Sequence, residues 1–453
     1  MTAGAATVAV AAAVPTAAFL RKSRRFIQFS FRAGLLFNRD LNPAGFGIRK
    51  FIYRPKRPKA QTISTTEITL PVKTPPLGLY LHIPWCVRKC PYCDFNSHAA
   101  GTGFSEEAYV DALLADLRFE RSLVGERRVE SLFIGGGTPS LFSGAAIGRL
   151  LAGVRSLLAC SEEMEVTLEA NPGTLQERRF EAYREAGVNR LSIGAQSFDA
   201  GALRRLGRIH GPGEIGETVA AARAAGFDDI NLDLMFGLPG QTLRAGLDDV
   251  RAAIALEPGH ISYYQLTLEP NTRFASAPPV LPPEEGIWEL QQRGQAMLRQ
   301  AGYRQYEISA FARPHRRCRH NLNYWRFGDY LGIGAGAHGK LTDAAAGRVV
   351  RRWRRRQPGR YLATAGGPAA IAGERVLGAA DLELEFMMNL LRLTGGFDGA
   401  LFPERTGLPP EGWLARVDEA VGAGLLDRSS GRIRPTGLGG RFLNDLLLHF
   451  DAG

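Results

Sequence analysis

From about residue 79 to residue 301, short apolar runs alternate six times with longer stretches of helical character, and this pattern limits the chain's folding options most tightly. Strands are expected at Leu79–Ile83, 129–134, 165–169, 189–194, 229–235 and 260–268. Helices are expected at 105–123, 144–158, 175–186, 213–225, 242–255 and 284–301. Ser105 is placed to cap the first helix, with Glu106 and Glu107 in its first turn. Regular alternation implies an α/β fold with a parallel sheet and right-handed crossovers. Six units make a barrel or partial barrel, in which the chemistry sits at the C-terminal ends of the strands.

The pattern changes after residue 310. Residues 311–372 read as a loop-rich linker that carries His320, Asn321, Asn323, Tyr324 and Trp325, then the glycine-rich run Gly332–Gly339. No strand, glycine loop and helix follow one another there, so dinucleotide binding is rejected, and His338 reads as a turn residue or a neighbour of the pocket. Residues 373–453 read as a small helical domain, with helices at Leu384–Leu393 and Gly440–Phe450. No apolar run reaches the roughly 18 residues of a membrane span.

Charge is concentrated at one end. Residues 1–66 hold 12 Lys and Arg and a single acid, Asp40, and the rest of the chain carries 44 basic and 44 acidic residues. The body therefore gives no signal for specific nucleic-acid binding. Residues 1–76 read as a basic, disordered extension or the product of an upstream start codon, which leaves a cytoplasmic protein. The Arg-rich, acid-poor composition also suits a mitochondrial transit peptide. A second basic stretch, Arg348, Arg351, Arg352, Arg354, Arg355, Arg356 and Arg360 around Trp353, reads first as a solvated face. Its other readings are contact with an acidic protein, an anionic lipid surface or an acidic ligand.

Three of the five cysteines, Cys86, Cys90 and Cys93, lie on one loop just after the first strand. Such clustering belongs to a metal or redox site in a reducing compartment, not to a disulfide framework. Two readings follow from the spacing. Iron–sulfur cubes usually take four cysteines, so three would leave one iron open to a ligand. Alternatively, His98 completes a Cys3His zinc site. Cys160 and Cys318 read as ordinary packed thiols.

The run Tyr80-Leu-His-Ile-Pro-Trp-Cys86-Val-Arg-Lys-Cys90-Pro-Tyr-Cys93-Asp-Phe-Asn-Ser-His98 resembles the radical S-adenosylmethionine (SAM) branch that contains the oxygen-independent coproporphyrinogen III oxidases. More closely it resembles their relatives, the HemW heme chaperones. The likeness covers about residues 77–450 and implies a partial (β/α)6 radical SAM barrel over 77–310 with a winged-helix-like C-terminal domain. It implies a [4Fe–4S] cluster on Cys86, Cys90 and Cys93 whose fourth iron binds SAM. It further implies that Gly136, Gly137 and Thr138 meet the amino-acid end of SAM, with Tyr80, Glu169, Gln196, Arg208 and Asp233 around the rest. That set suits a ligand bearing an ammonium, a carboxylate, ribose hydroxyls and an adenine edge.

Two features separate the subgroups. The oxidases carry a further cysteine two residues after the third, and Phe95 stands there instead, which argues against porphyrinogen decarboxylation. The HNxxYW motif, His320-Asn321-Leu-Asn323-Tyr324-Trp325, is associated with heme in the chaperone group. Imidazole ligates heme iron, aromatic rings flank a macrocycle and amides bond propionates. The expected function is a heme chaperone that hands heme to an unidentified acceptor protein, with coproporphyrinogen oxidation as the alternative.

Overall fold

A computed structural model describes residues 72–101, 104–173 and 178–451. The basic N-terminal segment through residue 71 lies outside the described residues. The six βα units are β1 (Leu77–Ile83), α1 (Glu106–Glu120), β2 (Val129–Gly136), α2 (Gly144–Leu157), β3 (Cys160–Ala170), α3 (Arg178–Ala186), β4 (Arg190–Gln196), α4 (Pro212–Ala224), β5 (Ile230–Phe236), α5 (Leu243–Ala255), β6 (His260–Gln265) and α6 (Glu284–Gln300). Each of these strands pairs in parallel with the next.

Local chemistry explains the boundaries. The side chains of Ser105, Ser143 and Thr242 accept from backbone N–H groups three residues on and so start α1, α2 and α5. Strand β4 is covered on both faces, so every residue in it is buried, the polar Arg190, Ser192 and Gln196 included. Strand and helix side chains share one core, with Leu79, Leu132, Val166, Leu191 and Leu232 from the sheet against Leu113, Leu150 and Val250 from the helices.

The stretch 311–372 corrects the expectation of a loop-rich linker. After β7 (Arg304–Glu307) and β8 (Ala310–Ala312) come α7 (Arg319–Trp325), β9 (Asp329–Ile333), β10 (His338–Asp343), β11 (Arg348–Arg354) and β12 (Ile371–Val376). Strand β9 pairs in parallel with β1 on the side away from β2, and β10, β11 and β12 follow antiparallel. The sheet has 12 strands in the order β12-β11-β10-β9-β1-β2-β3-β4-β5-β6-β8-β7, so it is open, with seven parallel strands at its centre. The barrel thus runs past residue 310. The glycine-rich run is a hairpin corner: a Cβ on Gly332 would lie 1.9 Å from the His338 carbonyl oxygen.

The C-terminal domain is not purely helical. Helices α8 (Ala379–Leu390) and α9 (Pro410–Gly422) pack with a three-stranded antiparallel sheet of β13 (Phe397–Asp398), β14 (Leu426–Ser429) and β15 (Arg432–Pro435). Two short helices, Gly437–Arg441 and Leu443–Leu447, replace the single one expected at 440–450. Its core stacks Phe402 on Trp413 at 4.3 Å and reaches Phe327 and Val349 of the barrel side.

Candidate functional site

At the C-terminal ends of the strands lies a cavity of about 180 Å³. Ten residues singled out in the sequence line it: Cys86, Cys90, Cys93, Gly136, Gly137, Thr138, Glu169, Gln196, Arg208 and Asp233. The cysteine loop and the glycine loop interlock beneath it. Gly137 N donates to Ile83 O and Thr138 N to Trp85 O, both at 2.7 Å. Gly136 has φ +119°, and a Cβ there would sit 2.5 Å from the His82 ring; one on Gly137 would sit 2.5 Å from Trp85 O. The glycines are therefore required by the contact between these two loops, not only by approach of a ligand.

A polar chain runs along one wall. Asn171 Nδ2 donates to Thr138 Oγ1 at 3.0 Å, and Arg208 Nη2 donates to Asn171 Oδ1 and to Gly194 O. Arg208 Nη1 lies 3.9 Å from Cys90 Sγ, and its Nε is buried with no hydrogen-bond partner. Glu169 Oε2 accepts from Gly136 N at 2.9 Å. Gln196 ends β4 at φ +68° and accepts from Tyr264 at 2.8 Å. Asp233 sits within β5, where burial raises its carboxyl against hydrogen bonds from Asn231, Ser262 and Ser192. Arg208 is the departure from the strand-end pattern: it follows the short helix Ala200–Arg205.

Burial pushes the Cys86 thiol up to about 11, against a hydrogen bond with Thr138, and the neighbouring Cys93 and Cys90 add to the rise. Metal ligation must displace such protons. His98 does not line the cavity; its Nε2 sits 3.4 Å from Asn96 Oδ1. Among the described residues no three His, Cys, Asp or Glu side chains converge as they must on one metal ion. A Cys3His zinc site is therefore not assembled. Three thiols spread along one loop, beside an unpartnered guanidinium nitrogen and several carboxylates, fit a larger cluster held at three corners with a charged ligand beside it.

Tyr80 does not line the cavity. Its hydroxyl bonds His82 Nδ1 at 2.9 Å, and its ring stacks on Phe133, which does line it. The sequence reading missed Asn171 and Tyr264, although each lies just past or at the end of a parallel strand, where its successor residues could have been searched.

The HNxxYW motif lies at the other end of the barrel. It forms α7, capped by the Cys318 sulfur, which accepts from Asn321 N. His320 is buried: Nδ1 meets Ser131 Oγ at 3.0 Å, Nε2 meets the Tyr324 hydroxyl at 2.9 Å, and Phe133 stacks on the ring. Glu165 accepts from the backbone N–H groups of Arg319 and His320. Burial pushes the imidazole down to about 3. Asn321 is buried, Tyr324 packs on Tyr330, and Arg392 lies 4.2 Å over the Trp325 ring. Since Ser131 and Gly78 stand near the starts of β2 and β1, this helix plugs the N-terminal end of the barrel, away from the cysteines.

Nor is the basic stretch on β11 a bare patch. Arg351 pairs with Glu385, Arg352 with Glu120 and Glu374, and Arg354 with Asp116 and Glu120. Among the described residues no helix is long and apolar enough to cross a membrane.

Comparison with known proteins accords with this geometry. The Radical SAM superfamily profile matches residues 80–252, and that of the HemN C-terminal domain matches 378–442. The heme chaperone HemW of Escherichia coli (strain K12) is 49% identical over 386 residues, spanning 84% of this chain and 100% of that protein. The heme chaperone HemW of Mycobacterium tuberculosis (strain H37Rv) is 34% identical over 385 residues, 83% of this chain and 95% of that one. In structure, the E. coli radical SAM enzyme coproporphyrinogen III oxidase (HemN) superposes with a TM-score of 0.71, covering 84% of this chain and 91% of its own at 24% identity, a likeness of fold. With relatives this similar over more than four fifths of its length, the chain belongs to the HemW family within the radical SAM superfamily.

Proposed function

We propose that this protein is a heme chaperone: it binds heme and passes it to an acceptor protein, with a [4Fe–4S] cluster and SAM held in the same chain. The observation that carries this reading is the alignment with the E. coli heme chaperone HemW, which leaves no part of that protein unmatched. Phe95, rather than a fourth loop cysteine, lines the cavity and speaks against the oxidase alternative.

In this reading Cys86, Cys90 and Cys93 hold three corners of the cluster. When bound, the cluster and SAM supply one-electron reductive chemistry. Gly136, Gly137 and Thr138 offer backbone and hydroxyl groups to the amino-acid end of SAM. Glu169 and Asp233 are the acidic partners, Arg208 the basic one and Gln196 the amide, while Tyr80 acts from behind Phe133. Phe133, Met235 and Leu266 keep water from the walls. His320, Asn321, Tyr324 and Trp325 serve heme handling as the framework of α7, because both imidazole nitrogens are already engaged. Three thiols that must stay reduced support a reducing compartment, which in this reading is the cytoplasm, with the mitochondrion as the alternative.

The test is anaerobic reconstitution with iron, sulfide, SAM and hemin in one sample. We expect an iron–sulfur spectrum that SAM perturbs, together with a heme-dependent Soret band that moves to a heme-free acceptor on mixing. A preparation in which hemin produces no protein-dependent band would overturn the chaperone reading.

A further inference from the structure

A second, larger cleft opens at the base of the barrel, between α7 and the C-terminal domain. Its volume is about 610 Å³, against about 180 Å³ beside the cysteines. That is within the range of about 300–1,000 Å³ typical of small-molecule sites. The two halves are held in register across it: Thr394 N donates to Tyr306 O at 3.2 Å, and Arg392 pairs with Glu307 at 2.9 Å. The cleft is thus part of the folded architecture.

The lining has two components. One wall is apolar, with Leu322 of α7 facing Leu393, Phe397 and Leu401 of the C-terminal domain. The other component is cationic, with five arginines against two carboxylates, Glu130 and Asp398. Three of the five are engaged: Arg317 lies over the Tyr306 ring, Arg319 donates to Glu163 O and Arg432 to Gly395 O. The other two are not. Among the described residues the Arg326 guanidinium has no hydrogen-bond or ion-pair partner, and Arg405 Nε is buried without one. Desolvation lowers the Arg405 guanidinium below its ordinary value, and an anion at the site would reverse that. A buried donor such as Arg405 Nε is ordinarily satisfied.

A flat apolar ligand carrying carboxylates on one edge meets both components at once. Resting on the chaperone reading above, we infer that heme docks in this basal cleft, its macrocycle against Leu322, Leu393 and Phe397 and its propionates on Arg326 and Arg405. Guanidinium groups suit this task because they bind carboxylates bidentately. Among the described residues no His, Met or Cys lines the cleft, so the described lining offers the iron no soft or imidazole ligand, and an acceptor that supplies one can take the heme. Heme is thereby held at the opposite end of the barrel from the cluster.

The test is hemin titration of the full-length protein, followed by absorbance, in its unaltered form and in four variants. Arg326 is exposed, so Arg326→Glu is compatible with folding; Arg326→Lys retains charge, and Arg326→Glu combined with Arg405→Gln removes both anchors. Arg360→Glu makes the same charge change on the exposed edge of the other basic stretch. We expect at least tenfold weaker hemin binding for Arg326→Glu, more for the double variant, a smaller loss for Arg326→Lys and none for Arg360→Glu. The dimethyl ester of heme should bind the unaltered protein as weakly as hemin binds the double variant. Unchanged affinity in a double variant with an unaltered melting curve overturns the site, as does equal binding of the ester, or a loss confined to Arg360→Glu. Failure of the unaltered protein to bind hemin overturns the chaperone reading itself.

Discussion

His320 shows how one residue's surroundings redirect its chemistry. An exposed imidazole ligates iron; this one is buried, bonded through both nitrogens and held neutral, with its proton affinity pushed down to about 3. The unfolded chain takes up a proton near pH 6.5 that the folded state refuses. Stability is therefore intact above that value and falls with acidification by about 1.4 kcal/mol per pH unit per such histidine, until the folded-state value is reached. His320→Gln keeps polar atoms and cannot titrate. Its stability deficit relative to the unaltered protein in urea unfolding should shrink by about 2 kcal/mol between pH 6.5 and pH 5. Parallel pH curves for the two proteins would show that the imidazole is not buried as described.

At the scale of elements, β11 corrects an intuition about charge. Seven arginines near one another in sequence suggest a surface for anions, but period-two alternation sends some of them inward. Arg354 is 1% exposed, with Nε 2.8 Å from Asp116, which also accepts from Tyr361 at 2.8 Å. Removing the cation strands Asp116 in the interior and leaves Glu120 with Arg352 as its cation, so Arg354→Ala should destabilise by about 3–5 kcal/mol in denaturant unfolding. A change below 1 kcal/mol would mean that water reaches these carboxylates. The neighbouring β9 is fixed in the same way. Asp329 is fully buried and takes Arg127 at 3.0 Å, Lys340 at 3.1 Å and Thr342 at 2.8 Å, which locks the seventh parallel strand beside β1.

For the whole molecule, the barrel and the C-terminal domain meet through few but buried polar contacts. Arg392 leaves α8 to reach Glu307 at 2.9 Å and to cover the Trp325 ring at 4.2 Å, so it joins the domain to both β7 and α7. The unaltered protein should unfold in one calorimetric transition and Arg392→Met in two, with protease cleavage appearing first between α7 and α8. A single transition at an unchanged temperature would show that the shared core around Phe327 and Phe386 couples the halves unaided.

The amino-acid sequence by itself determined the six βα units and the three-thiol loop, because these follow from local periodicity, capping and residue spacing, while the polar residues around the cavity were legible only through the family resemblance. It did not reveal that β9 to β12 continue the sheet. Their pairings join β1 and β11 to partners some 250 and 20 residues away, and the seventh strand's register rests on the buried Asp329. Nor could it place His320. Whether an imidazole meets a ligand or a serine and a tyrosine depends on which end of the barrel a helix enters, and only the folded chain decides that.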